Sequence, residues 1–128
     1  MTEPQGDLVL RTLAMPADTN PNGDIFGGWI MSQMDMAGGL AGKNRCNSRV
    51  STVAVESMSF IHPVKVGDVV CCYADIIRVG NTSMRIKLEV WVLSHPFKSE
   101  ERHRVTEGFF TYVAIDDNGN PVPVERNQ

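Results

Sequence analysis

The chain has 128 residues, 42% hydrophobic and 21% charged, the balance of an ordinary globular protein with room for one core but not two. Its formal net charge of −3 argues against a general nucleic-acid binder, although a local basic pocket for a phosphorylated ligand stays open. No apolar run approaches the roughly 18 residues of a membrane span, and MTEPQGD has neither the basic start nor the apolar segment of a signal peptide.

The first candidate element is the short strand GDLVLRTLAM, ended by Pro16. The loop PADTNPNGD is dense in turn formers, and Asp24 is placed to cap the helix that follows. From about Gly27 to Asn44 the apolar spacing is helical, with Ile30, Met34, Ala37 and Ala41 on one stripe. Asp35 lies off that stripe, on a face shared with Gly28, Met31, Gly38 or Gly39, and Gly42, which is nearly bare of side chains. Everything afterwards reads as β. RVSTVAVESMSFI is apolar on both faces, and VVCCYADIIRV is bounded by Gly67–Asp68 and Gly80–Asn81. SMRIKLEVWVL alternates, Met84, Ile86, Leu88, Val90 and Val92 opposing Arg85, Lys87, Glu89 and Trp91. RVTEGFFTYVAI closes the sheet, and DDNGNP turns into a polar tail.

One long helix followed by a meander of long strands predicts an α+β domain over residues 1–128, its sheet curled around the helix. Such a sheet has edges to protect, and a dimer that continues it would remove one. Three cysteines, with Cys71 and Cys72 adjacent in a strand, argue against a disulfide framework and for the reducing cytoplasm. His62, His95 and His103 show no zinc-ligand spacing, so no metal is expected.

Glycine costs a helix interior roughly 1 kcal/mol relative to alanine, so glycines clustered around a single acid need a reason. One reading is close helix–sheet packing; the other is a groove where a ligand lies against the helix backbone. An acid among small and apolar residues is poorly solvated and needs a partner or a purpose, which favours the groove. If the helix starts at Gly27–Gly28, its first amides point outward with the positive end of the macrodipole. That is an oxyanion hole in outline, with a plain tight turn as the alternative. Asp35 lies roughly 10–12 Å further along the axis, too far to act on the same carbonyl from the same helix. Either the ligand runs along the groove, or the acid meets the N-terminus of another subunit's helix, as in a two-fold dimer with antiparallel helices.

The remaining candidates are weaker. There is no G-x-S-x-G elbow, and Ser32, inside the helix, reads as structural. Thr52 and Glu56 read as structural through hydrogen bonds to the helix or a neighbouring subunit, with a direct catalytic part as the alternative. In RVGNTSMRIK, Gly80, Asn81 and Ser83 could offer turn amides and hydroxyls to phosphates, and Arg78, Arg85 and Lys87 could offer charge. The plain alternative is a hairpin turn with solvated basic flanks.

The segment TNPNGDIFGGWIMSQMDMAGG, followed by STVAVESMSF, PVKVGDVV and EVWV, closely resembles the YciA-like acyl-CoA thioesterases of the hotdog-fold superfamily, from about Leu8 to Ile115. The resemblance implies a hotdog fold, a long central helix wrapped by a curved antiparallel sheet. It also implies paired dimers usually assembled into a hexamer, and hydrolysis of acyl-CoA to fatty acid and CoA. Coenzyme A then enters as part of the substrate, with no separate cofactor. The family's catalytic acid falls on Asp35, as general base on a water or as nucleophile giving a mixed anhydride. Its polar loop residue falls on Asn20 and its carbonyl-binding amides on Gly27 and Gly28. The same resemblance favours the turn at Gly80–Ser83 as part of the CoA site, without singling out which basic residue binds. Met31, Met34 and Met36 could adapt a groove to many chain lengths. Two rivals are a dehydratase or hydratase of the same fold and a non-catalytic acyl-CoA sensor. The first needs a His paired with an acid, but His62 follows a strand rather than facing the helix; the second predicts a missing acid.

Overall fold

In the computed structural model, which describes residues 3–93 and 102–125, one long helix lies across a five-stranded sheet. Strand β1 spans Asp7–Leu13, and a short 3-10 turn at Pro16–Asp18 follows it. Helix α1 spans Gly27–Cys46, and strands β2 (Arg49–Phe60), β3 (Val69–Val79), β4 (Ser83–Leu93) and β5 (Arg102–Ile115) complete the order. His95 lies outside the described residues.

All neighbouring strands are antiparallel, in the order β1-β3-β4-β5-β2. The expected meander therefore holds only for β3 to β5. Strand β2 pairs with β5 instead of β3 and forms the far edge. The reason is the helix, which crosses the whole sheet and delivers the chain from the β1 edge to the opposite one. Only one side of β2 is paired within the protomer, and Val53 and Val55 stay 56% and 40% exposed.

The core follows the period of two in β4. Met84, Ile86, Leu88, Val90 and Val92 are all fully buried, joined by Val70, Cys72 and Ala74 of β3 and Phe110, Tyr112 and Ala114 of β5. The helix answers with Ile30, Met34, Ala37 and Cys46. Each large apolar side chain so buried contributes about 1.5–3 kcal/mol. The polar tail is not loose: Val122 N donates to Ala114 O at 2.9 Å and Val124 N to Asn81 O at 2.8 Å, with Val124 buried.

Asp24 does not cap the helix. The residue at that position is Phe26, without a side-chain cap, and the Asp24 carboxylate pairs with Lys65 Nζ. Backbone pairing of Ile25 N with Val64 O, at 3.0 Å, brings those two segments together. At the other end Asn47 adopts φ 56°, and its N–H donates to Lys43 O, closing the last turn in a left-handed residue.

Both readings of the helix glycines apply, to different glycines. A Cβ on Gly38 would collide with the hydroxyl and ring of Tyr112, and Gly42 sits against Met84, Val50 and Ile86. Those two are packing glycines. Gly28 and Gly39 face open space.

Candidate active site

The helical phase that buries Ile30, Met34 and Ala37 turns half-buried Asp35 towards β5 and β2. Two donors from the inner face of the sheet meet it there. Tyr112 Oη donates to Asp35 Oδ1 at 2.8 Å and also lies 3.1 Å from the Asp35 carbonyl oxygen. Thr52 Oγ1 donates to the same Oδ1 at 2.7 Å. Thr52 and Tyr112 are direct cross-strand partners, so the β2–β5 register presents both to one carboxylate oxygen. Among the described residues Oδ2 has no hydrogen-bond partner, and no Lys or Arg forms an ion pair with Asp35.

Burial, and then the neighbouring carboxylate, pushes the Tyr112 phenol far above its ordinary range. It therefore stays protonated and acts as a donor. A hydrogen bond to a charged group is worth about 1.5–3 kcal/mol, enough to hold a carboxylate in one rotamer. The result is an acid gripped by one oxygen and open at the other.

Gly27 and Gly28 open the helix, and among the described residues no acceptor takes their N–H groups. Gly27 is half-buried near the Phe60 ring, whereas Gly28 is exposed. Asn20 lies in the loop before them. Its Oδ1 accepts from Asn22 N at 2.9 Å and Asp24 N at 3.1 Å, and its own N–H donates to Asp24 O at 2.7 Å. The side-chain oxygen thus holds the loop, and the amide –NH₂ is left to donate elsewhere. Within one protomer Asp35 and the Gly27–Gly28 amides remain two turns apart along the helix, roughly 12 Å.

Thr52 bonds to the helix as expected, and Ser32 does no more than return a hydrogen bond to Trp29 O at 2.6 Å. Glu56 does not bond to the helix. Within the protomer it pairs with Arg85 on the outer face at 2.5 Å, where Arg85 also stacks over Phe109. The turn at Gly80–Ser83 is tied into the sheet: Gly80 N donates to Ser83 O, Ala114 N to Thr82 O, and Asn81 O receives the tail. Lys87 lies among Glu89, Glu107 and Gln5. Of the three basic residues near this turn, exposed Arg78 is the one without an ion pair among the described residues.

Tyr112 was not singled out by sequence reasoning. The available signal was its phase, since it alternates with Phe110 and Ala114 on an inward face where a hydroxyl needs a partner. Two concavities flank the helix. One of about 1010 Å³ lies against β1 and β3, lined by Leu8, Leu40, Ile76 and Val79 among others, on the side away from Asp35. A shallower one of about 410 Å³ lies on the Asp35 side, between Met36, Gly39, Leu40 and Lys43 of the helix and Arg49 and Val50 of β2. Volume favours the first; the chemistry lies beside the second.

A long helix laid over one antiparallel sheet, with a half-held acid on its flank and a glycine start, has the architecture of the hotdog fold. Comparison with known proteins agrees. The profile of the thioesterase superfamily matches residues 22–95. The acyl-CoA thioester hydrolase YciA of Escherichia coli is 58% identical over 127 residues, covering 95% of this chain and 95% of the relative. A hexameric broad-specificity acyl-coenzyme A thioesterase, solved as an aspartate-to-alanine mutant, matches with a TM-score of 0.91 and 55% identity, over 97% of this chain and 90% of that one. A hexameric thioesterase from Yersinia pestis matches with a TM-score of 0.89 and 56% identity, over 97% and 99% of the two chains. The chain belongs to the thioesterase superfamily and, within it, is a YciA-like acyl-CoA thioester hydrolase.

Proposed function

We propose that Asp35 is the general base of this hydrolase, in a site completed by the Gly27–Gly28 amides of a second protomer across a two-fold axis. The observation that carries the reading is the half-held carboxylate, with Oδ1 fixed by Tyr112 and Thr52 and Oδ2 open. Oδ2 takes a proton from water as the water oxygen bonds to the thioester carbon. The glycine amides receive the charge that develops on the carbonyl oxygen, and the –NH₂ of Asn20 orients the water or the thioester. As the intermediate collapses, the C–S bond breaks, the thiolate of CoA leaves and takes a proton, and the fatty acid is released. A thioester needs less help than an amide because thiolate is a good leaving group, so no Ser–His–Asp triad is required.

The dimer is supported by the open β2 edge, whose pairing with its two-fold copy would continue the sheet and bring antiparallel helices side by side. Hexameric relatives support a trimer of such dimers. Residues 1–128 act as one unit, and Gly80, Asn81, Ser83, Arg78 and Arg85 form the side that meets the phosphates of CoA. The relative described as broad in specificity, together with Met31 and Met36 exposed on the helix, supports a range of acyl lengths. Buried thiols fit the cytoplasm, and no helix among the described residues is long and apolar enough to cross a membrane.

Release of free thiol from short to long acyl-CoAs tests this, with Asp35→Asn in parallel. The variant, still folded and binding CoA, is expected to lose at least about a hundredfold in kcat. If parent and variant both bind acyl-CoA and neither hydrolyses it, the protein is a sensor. A single turnover in ¹⁸O water separates the two roles of the acid. Label in the Asp35 carboxylate marks a nucleophile whose anhydride is opened by water at the aspartyl carbon, whereas a general base puts the label in the fatty acid and none in Asp35.

A further inference from the structure

We infer that Tyr112 is a positioning residue for hydrolysis, fixing the Asp35 carboxylate so that Oδ2 alone faces the open flank; this rests on the reading of Asp35 as the base. The phenol carries one proton, which goes to the carboxylate oxygen Oδ1 at 2.8 Å and is shared at most with the backbone carbonyl of the same residue at 3.1 Å. A single hydrogen bond leaves a carboxylate free to turn about χ2, because that torsion is broad. Two donors converging on Oδ1, from Tyr112 and Thr52, remove this freedom.

Tyr112 is also the stiffer of the two donors. It is 1% exposed, seated between β4 and β2 with Met84 and Thr52 as its cross-strand neighbours, and its ring stacks near Phe110. Thr52 lies exposed on the edge strand, next to a register shift between Thr52 and Ala54. An edge of that kind cannot orient a carboxylate alone.

Gly38 is the second half of the device. It lies one turn beyond Asp35, and a side chain there would occupy the space of the Tyr112 hydroxyl and ring edge. Its missing Cβ lets the phenol reach the helix backbone. Gly39, next in sequence, meets nothing and carries no such demand. The clamp is thus made by a tyrosine on β5 and a glycine on α1, both required for one hydrogen bond.

The test is Tyr112→Phe, which keeps the ring and removes the hydroxyl, measured alone and in the Asp35→Asn background. A fall in kcat of roughly ten- to a hundredfold is expected, with KM little changed. In the Asp35→Asn background the same substitution is expected to leave the residual rate where it was, since Tyr112 acts only through the acid. Gly38→Ala, whose Cβ would displace the Tyr112 hydroxyl and ring edge, should reproduce the fall in kcat. A Tyr112→Phe enzyme within about threefold of the parent overturns the inference. So does an equal loss with and without Asp35, which would mark a purely structural effect. A parent that hydrolyses while Tyr112→Phe matches it sinks the role of Tyr112 alone. A parent without turnover on any acyl-CoA sinks the reading of Asp35, and this inference with it.

Discussion

Asp35 is one of fifteen acidic residues in the chain, and what sets it apart is its neighbours. Two neutral donors meet the same oxygen, and no cation of the described residues neutralises the charge. With both donors on Oδ1, Oδ2 is the oxygen left to meet a water. The cysteines show the opposite use of burial. Cys46, Cys71 and Cys72 are all buried, and burial, with the adjacent Cys71, pushes the Cys72 thiol up to about 12. Burial shields all three sulfurs from solvent, so these groups should be silent to a disulfide reagent in the folded protein at pH 8. Denaturation in guanidinium should then expose three thiols per chain, read by absorbance. This matters for the enzyme assay, since the only thiol appearing over native protein should be that of released CoA. Fast labelling of the folded protein would show the β3 core to be open.

The elements add constraints that single residues do not show. Strand β5 continues into a turn built on Asp116, whose Oδ1 accepts from Asn118 N and Asn120 N at 2.9 Å each. The backbone N–H of Asn120 foremost, with that of Asn118, holds the Asp116 carboxyl below its ordinary range. The sign follows from linkage. A folded-state value below the unfolded one gives stability that is present above the unfolded pKa and lost as pH falls through the lowered value. Asp116→Ala is therefore expected to lower the Tm slightly at neutral pH. The difference from the parent should fade in acid, below the usual aspartate range near about 3.9. Melting curves across pH would check it, and a difference that grows in acid would contradict the assignment. The same turn leads Val122 and Val124 back onto the sheet, so its loosening would also release the tail from Ala114 and Asn81.

At the scale of the whole molecule the open feature is the β2 edge. It carries exposed Val53 and Val55, lies beside Thr52, and borders the flank on which Asp35 is presented. If two copies pair there, assembly and activity share one surface. Val55→Asp is expected to lower the assembly mass by light scattering and to reduce hydrolysis with it, while the protomer keeps its secondary structure. An unchanged mass would move the interface elsewhere on the molecule.

The division between sequence and structure falls along chain distance. Helix, inward stripe, β4 alternation and the odd acid were legible, because periodicity is local and a few neighbouring residues carry it. Asn20, Gly27 and Gly28 could be named as candidates from the loop-and-helix string and its family resemblance. Which strands pair was not legible, and the meander reading failed at β2, since strand order depends on where a whole helix lands. The tail read as merely polar because two valines have too little periodicity to announce a docking site. Tyr112 and Asp35 are 77 residues apart, and Gly38 matters only because that tyrosine arrives beside it. The amino-acid sequence by itself determined the elements and the family and singled out the acid as a candidate. Tertiary structure alone decided which oxygen of that acid is held and which is free, because the donors come from strands brought together only by folding.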